Sequence, residues 1–435
     1  MKKPNILLIL TDQQNACALS CTGNEDLKTP AMDSLAETGT RFEKAYCTFP
    51  LCTPSRGSIF TGLMPSELGI MKNDITIADK FKELEMGHLF SANGYECVYG
   101  GKWHVPEMAI PDLCHGFSKI SGFDDNALVD SCIEFLKRKH EKPFLMVASF
   151  DNPHNICEWA REQTLPWGEV EDTITEDCPS LPANYAIPPY EPQAIRVEMS
   201  KLEIAYSTPE YFNDNWSRHY RYAYYRLVEK VDAQIERILE ALRGQDLEDN
   251  TLIIFSSDHG EGMGAHKWKQ KTILYEEAVR VPFIISFKGV TKAGNEDKTH
   301  LISNGLDILP TMCDYAGIEI PQEYKGLSVR ALSEGNRANE WRGNLIAQMN
   351  SFITQGRMVR TSQYKYVIYS WGRYREQLFD MERDSGEMVN IVANSRYKAV
   401  LDEHRRILYE WCKETGDKFV EHYTNPDVSM IPGMN

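Results

Sequence analysis

The segment Ile6-Leu7-Leu8-Ile9-Leu10, running directly into Thr11-Asp12-Gln13, decides the fold. A continuous apolar run of this length suits a strand covered on both faces. Related patterns recur along the chain. Tyr95 to Tyr99 ends at Gly100-Gly101-Lys102-Trp103-His104, Phe144 to Ala148 leads to Asp151-Asn152-Pro153-His154, and Thr251 to Phe255 ends at Ser256-Ser257-Asp258-His259-Gly260. Helical patterns lie between these runs. Thr29-Pro30 reads as a cap followed by proline at the first position of a helix through Ala36. From Tyr222 to Leu242, the residues Leu227, Val231, Ile235, Ile238 and Leu242 recur at helical spacing, predicting a long amphipathic helix. Alternating strands and helices predict an α/β fold with a large, mostly parallel sheet sandwiched by helices. Ligands in such sheets sit at the carboxyl ends of the strands, so the polar residues named above should converge on one crevice.

Two stretches depart from this rhythm. Gln163 to Pro209 is rich in proline, acidic and aromatic residues with no clear period, and reads as a long insertion near the site where substrate choice is made. After about residue 346, Met358-Val359-Arg360, Tyr366 to Tyr369 and Gln377 to Asp380 predict antiparallel strands, and Tyr397 to Trp411 a closing helix. The expected division is a catalytic unit over 1–345 and a small antiparallel subdomain over 346–435 packed on it. Arg357, Arg360 and Arg373 are candidates to reach a polar substrate from that subdomain.

Composition sets outer bounds. A chain of 435 residues allows two or three units, or one large core with an appendage. With 42% hydrophobic and 25% charged residues it is not a disordered chain. A net charge of −16 argues against a general nucleic-acid partner, yet a locally basic pocket for an anionic substrate remains compatible with it. No apolar run approaches the roughly 18 residues of a membrane span. No secretory leader is legible at the N-terminus, so the chain as written reads as cytoplasmic, or as periplasmic or secreted if a leader was removed. The 11 cysteines contain no CxxC pair, which suits a reducing compartment or few disulfides.

Asp12-Gln13 and Asp258-His259 each follow a buried strand. Two carboxylates, an amide oxygen and an imidazole can together hold one divalent cation, and oxygen-rich ligation favours Ca²⁺ or Mg²⁺. Either pair alone would read as a turn or a helix cap. Lys102 suits an anionic oxygen and His104, two residues on, suits proton transfer; in an extended segment both project to one side. His154 and Lys271 are weaker candidates, a loop histidine and a helix lysine when read alone. Cys52-Thr53-Pro54-Ser55-Arg56-Gly57 places a cysteine at a helix start, where thiol acidity rises and anions bind. On composition alone, a nucleophilic and a buried structural cysteine both remain open.

The chain resembles the type I sulfatases of the alkaline phosphatase superfamily. Cys52-Thr53-Pro54-Ser55-Arg56 fits the Cys-x-Pro-x-Arg signature and continues into Gly57-Ser58-Ile59-Phe60-Thr61-Gly62. The resemblance extends over Asn5–Gln13, Thr29–Leu35, Gly94–His104, Pro153-His154, Ser257–Glu261, Tyr275–Pro282 and the tail Leu378–Asp384. It implies an alkaline-phosphatase-like fold and conversion of Cys52 to formylglycine by a maturation enzyme. It implies a gem-diol nucleophile at residue 52 that attacks sulfur and releases sulfate, with His104 as base. Arg56 and Lys102 would hold the formylglycine, and Lys102, His154 and Lys271 the sulfate oxygens. His154 or Lys271 would protonate the leaving group. Asp12, Gln13, residue 52, Asp258 and His259 would hold the cation, Ca²⁺ by resemblance with Mg²⁺ as the alternative. Many relatives carry Asp in place of Gln13 and Asn in place of His259, so this ligand set has one carboxylate fewer and a softer imidazole. The resemblance implies a sulfated small molecule or carbohydrate as substrate; the charge and the lack of a long apolar run lead to the expectation of no nucleic-acid and no membrane partner. A phosphonate or phosphodiester hydrolase sharing the signature, and a silent sulfate-ester-binding relative, are the alternatives.

Overall fold

A computed structural model describes residues 3–105, 113–205, 213–338, 340–351 and 353–419. Among them, a nine-stranded sheet runs in the order Asn295–Asp297, Thr40–Phe42, Phe283–Ser286, Thr251–Ser257, Asn5–Asp12, Phe144–Pro153, Glu96–Gly101, Phe117–Lys119, Leu113–Cys114. The four strands from Thr251–Ser257 to Glu96–Gly101 are mutually parallel, and antiparallel pairs lie toward the edges. The expected large, mostly parallel sheet is therefore present.

The apolar run at the N-terminus explains its central place. Ile6, Leu8 and Leu10 join the core on one face of the sheet, while Leu7 and Ile9 join the core on the other. Every residue of Asn5–Asp12 is buried. Truncating one such side chain to alanine costs about 2–5 kcal/mol, because the surrounding atoms close the hole only partly.

The long helix is Asp214–Gly244, and its residues Leu227, Val231, Ile235, Ile238 and Leu242 fill the second core as their spacing predicts. The helix Pro30–Thr38 also forms, but Thr29 does not cap it with its side chain. Thr29 Oγ1 is engaged by Ser20 and Asp33 instead, and Asp232 of the long helix accepts from Ala31 N (3.1 Å) and Met32 N (2.8 Å). A remote carboxylate thus satisfies the helix start.

Four antiparallel strands, Asn344–Asn350, Gln355–Thr361, Tyr364–Tyr369 and Glu376–Asp380, form a second sheet. One face carries Ile346, Val359, Tyr366 and Leu378 against Leu401, Leu408 and Cys412 of the helix Lys398–Thr415. The other face sends Ala347, Met349, Met358, Val367 and Phe379 into the core of the main sheet. Two buried faces leave no room for substrate-seeking arginines. Arg357 is 2% exposed and makes two bonds to Asp417, of 2.7 and 2.9 Å. Arg360 donates to Tyr46 Oη (2.9 Å) and is also buried. Both are internal ties rather than substrate contacts, contrary to the expectation from sequence. Arg373 is exposed, and its carbonyl accepts from Gln193 N.

The stretch from Gln163 is irregular up to the helix Gln193–Ala205, apart from a short turn of helix at Thr175–Asp177. Residues 206–209 of the expected insertion lie outside the described residues.

Candidate active site

The register of the central strands builds the site. Leu10 pairs with both Ser149 and Ser256, and Asp12 lies beside Pro153, so three parallel strands finish at one level. Asp12 and Gln13 continue one strand, Asp258 and His259 another, and Asp151 ends a third. Gln13 adopts a left-handed backbone (φ 71°), which turns the chain out of the sheet. Lys102 follows the strand Glu96–Gly101. Gly101 has φ 89°, and a Cβ there would meet Ser149 O at 1.9 Å, so only glycine lets the chain pass.

Against these strand ends stands the helix Cys52–Thr61, buried along its whole length. Cys52 is at its first turn and is fully buried. Its Sγ lies 3.1 Å from Lys271 Nζ, 3.3 Å from His259 Nε2 and 3.7 Å from Asp12 Oδ1. Arg56, one turn along, reaches Asp258 Oδ2 with Nε (2.9 Å) and Asp12 Oδ2 with Nη2 (3.2 Å). Its Nη1 donates to Lys102 O and Ser149 Oγ, both at 2.8 Å. Lys102 Nζ sits between Asp12 (2.9 Å) and Asp151 (2.8 Å).

Ligand atoms of Asp12, Cys52, Asp258 and His259 all lie within 4.8 Å of one another, and all four residues are buried. That spacing suits oxygen and nitrogen donors around a single cation. Gln13 Oε1 accepts from Lys271 Nζ (2.8 Å), while its Nε2 donates to Glu261 Oε2 (2.6 Å). Glu261 thereby orients the amide so that its oxygen faces the site.

The electrostatics follow from burial and neighbours. Burial alone would raise the Asp12 carboxyl, but Lys102, Lys271 and Arg56 hold it well below the usual carboxylate range. Burial and the charge of Asp12 push Asp258 up to about 6. Burial and Asp12 also oppose ionisation of Cys52, yet Lys271, His259 and Lys102 carry its thiol well below the ordinary value. Burial, with Lys102 and Lys271 alongside, holds His154 well below the ordinary imidazole range, so it is neutral. Burial works against the Lys271 ammonium, but Cys52 and Asp12 raise it, so it stays charged. The carboxylates of Asp12, Asp151 and Asp258 are thus balanced by Arg56, Lys102 and Lys271 before any cation or anionic substrate enters.

The structure brings Cys52, Arg56, Lys102, Lys271, Asp12, Gln13, Asp258 and His259 into direct contact. His154 stands at the edge, its Nδ1 4.0 Å from Asp151 Oδ1 and its ring partly exposed. His104 differs from expectation. The strand stops at Gly101 and His104 is left-handed (φ 54°), so it does not share a side with Lys102 by strand alternation. Its carbonyl accepts from Thr53 Oγ1 (2.5 Å), which ties it to the helix of Cys52, and its buried Nδ1 has no hydrogen-bond partner among the described residues. Lys271 is in a loop rather than a helix, between the left-handed residues Gln270 (φ 76°) and Thr272 (φ 70°).

Sequence reasoning assigned no role to Asp151, Glu261 or Ser149, which fix Lys102, Gln13 and Arg56 respectively. Asp151 carried a usable signal, a carboxylate just past an apolar run; Glu261 and Ser149 carried none. Also unassigned was Cys157, whose Sγ contacts Gln270 Nε2 (3.1 Å) and Gln13 Nε2 (3.7 Å).

Comparison with known proteins agrees with this geometry. The sulfatase family profile matches residues 4–318, and a profile for the C-terminal part of N-sulphoglucosamine sulphohydrolase matches residues 264–414. A Δ4,5-hexuronate-2-O-sulfatase of Bacteroides thetaiotaomicron is 30% identical over 439 residues, covering 96% of this chain and 90% of that protein. An arylsulfatase of Clostridium perfringens is 30% identical over 469 residues, covering 93% and 94%. A solved 2-O GAG sulfatase superposes with a TM-score of 0.85 at 28% identity, covering 97% of this chain and 94% of that one.

Proposed function

Because the chain belongs to the sulfatase family and is a sulfuric ester hydrolase, we propose that it removes sulfate from a sulfated saccharide by way of a formylglycine made from Cys52. The supporting observation is the position of Cys52 Sγ, at the start of a buried helix and in contact with His259, Asp12 and Lys271 together. The saccharide reading rests on the relatives, which include a hexuronate-2-O-sulfatase and a solved GAG sulfatase.

In this reading Sγ stands in for the oxygen of the modified residue. Formylglycine would supply the hydroxyl of a hydrated aldehyde as nucleophile toward sulfur. Asp12, Gln13, residue 52, Asp258 and His259 would hold a divalent cation, Ca²⁺ or Mg²⁺, which supplies Lewis-acid charge at that point. Arg56 fixes both aspartates in the geometry this requires. Lys102 and Lys271 present ammonium groups to the sulfate oxygens, in a pocket whose low dielectric strengthens each contact. Lys271 remains charged and would supply the proton to the ester oxygen as the alcohol departs. His154 is neutral and serves as a hydrogen-bonding wall for the sulfate. His104, whose Nδ1 is unpartnered among the described residues, takes the proton released as the aldehyde regenerates. Cys52 is fully buried, so its maturation enzyme must reach it before the helix packs.

Incubation with a panel of sulfated mono- and disaccharides, with inorganic sulfate as readout, tests the proposal. Release from at least one saccharide, lost in Cys52→Ala, is the expected result. Turnover confined to aryl sulfates would remove the saccharide assignment.

A further inference from the structure

A cavity of about 290 Å³ is lined by Asp74, Gly101, Trp103, His104, Lys119 and Phe123 among others. Several of its walls connect to the site. Gly101 precedes Lys102. Asp74 follows Asn73, whose Oδ1 accepts from the backbone N of Thr53 (3.2 Å), next to Cys52. His104 is bound through its carbonyl to the same Thr53.

Phe123 is the unusual wall. It is 55% exposed, whereas most phenylalanines of this chain are buried. A solitary exposed aromatic residue needs no explanation. Phe123 is not solitary, because two contacts fix it at the mouth of the site. Lys102 Nζ lies 5.7 Å from its ring centre, and the edge of Trp167 meets it with centroids 6.0 Å apart at 72°. Trp167 is in turn tethered through Nε1 to Asp151 Oδ2 (3.3 Å), the carboxylate that also holds Lys102. Much of Phe123 is therefore open to solvent, and Lys102, which also faces the sulfate in the proposed function, helps to position it.

We propose that the sugar ring bearing the ester docks in this cavity with its apolar face on Phe123, which makes Phe123 a specificity-determining residue. The inference deepens the saccharide reading and rests on it. One face of a pyranose presents C–H groups, which pack on an aromatic ring while the hydroxyls stay free for polar partners. Asp74 lines the same cavity and offers an acceptor for those hydroxyls. The volume lies at the small end of ligand sites, as one ring requires.

The test compares KM and kcat on a sulfated monosaccharide and on methyl sulfate, which has no ring. Phe123→Ala should raise KM for the sugar ester about fivefold more than KM for methyl sulfate, since an aromatic stacking contact is worth about 1 kcal/mol. Its kcat on the sugar ester should be little changed, and Phe123→Trp should restore KM. Sugar-ester KM unaltered in Phe123→Ala overturns the subsite, and so does an equal loss on both substrates, which marks a structural role. If the wild type releases sulfate from methyl or aryl sulfate but from no sulfated sugar, the saccharide reading falls and the subsite with it.

Discussion

Arg56 makes bonds to two aspartates, a carbonyl and a hydroxyl, all out of water. Removing one partner of such a cluster leaves a buried charge uncompensated, which costs about 3–5 kcal/mol. Asp258→Ala should therefore lower stability as well as abolish metal uptake and sulfate release. Asp258→Asn keeps the shape, so it should retain more stability and still lose the cation. Metal content and urea midpoints of the two variants check this; stoichiometric metal in active Asp258→Ala would contradict it. A second prediction concerns Asp125, whose carboxylate accepts from Asp151 N and Asn152 N. Burial, and then the charge of Asp151, raise its carboxyl from the ordinary 3.8 to about 7. Between those values the folded state binds a proton that the unfolded chain has released. This contribution to stability is full below about pH 4 and is lost as pH rises through about 7. Asp125→Asn should flatten the fall in stability between about pH 4 and pH 7, measured by urea titration. An unchanged slope would show that another group carries it. At this scale the sequence was readable where residues stood just past apolar runs, as Asp12, Lys102 and Asp258 do. It was silent on Glu261, because its partner Gln13 lies 248 positions away.

At the scale of elements, the strand ends explain why so much of the site was legible. Continuous apolar runs of this length suit strands buried on both faces, and a parallel sheet aligns their polar ends. The small C-terminal sheet was legible as strands but not in its packing. An antiparallel sheet commonly keeps one face in solvent, whereas here one face meets the closing helix and the other the main core. Arginine at a strand position therefore meant an internal ion pair, a distinction that periodicity does not carry. Arg357→Ala should leave Asp417 buried without its partner and cost about 3–5 kcal/mol. KM for the substrate should not move. Thermal denaturation and steady-state kinetics check both halves, and a raised KM at unchanged stability would restore Arg357 as a substrate contact.

For the whole molecule, the site joins the ends of three parallel strands to the helix Cys52–Thr61 and to the loop of Lys271. A cation bound there engages only the folded state, so it should stabilise the entire chain in proportion to its occupancy. Chelation should inactivate the enzyme and lower Tm, and adding back Ca²⁺ or Mg²⁺ should restore both. Activity that survives exhaustive chelation would remove the metal from the account. The central claim, however, is chemical and concerns one residue. It is tested most directly by the mass of the tryptic peptide spanning residues 45–56, taken from enzyme that is actively releasing sulfate. The account predicts a species about 18 Da lighter than the cysteine form, in proportion to specific activity, because an aldehyde replaces the thiol of Cys52. Fully active enzyme whose peptide carries only unmodified Cys52 would contradict it.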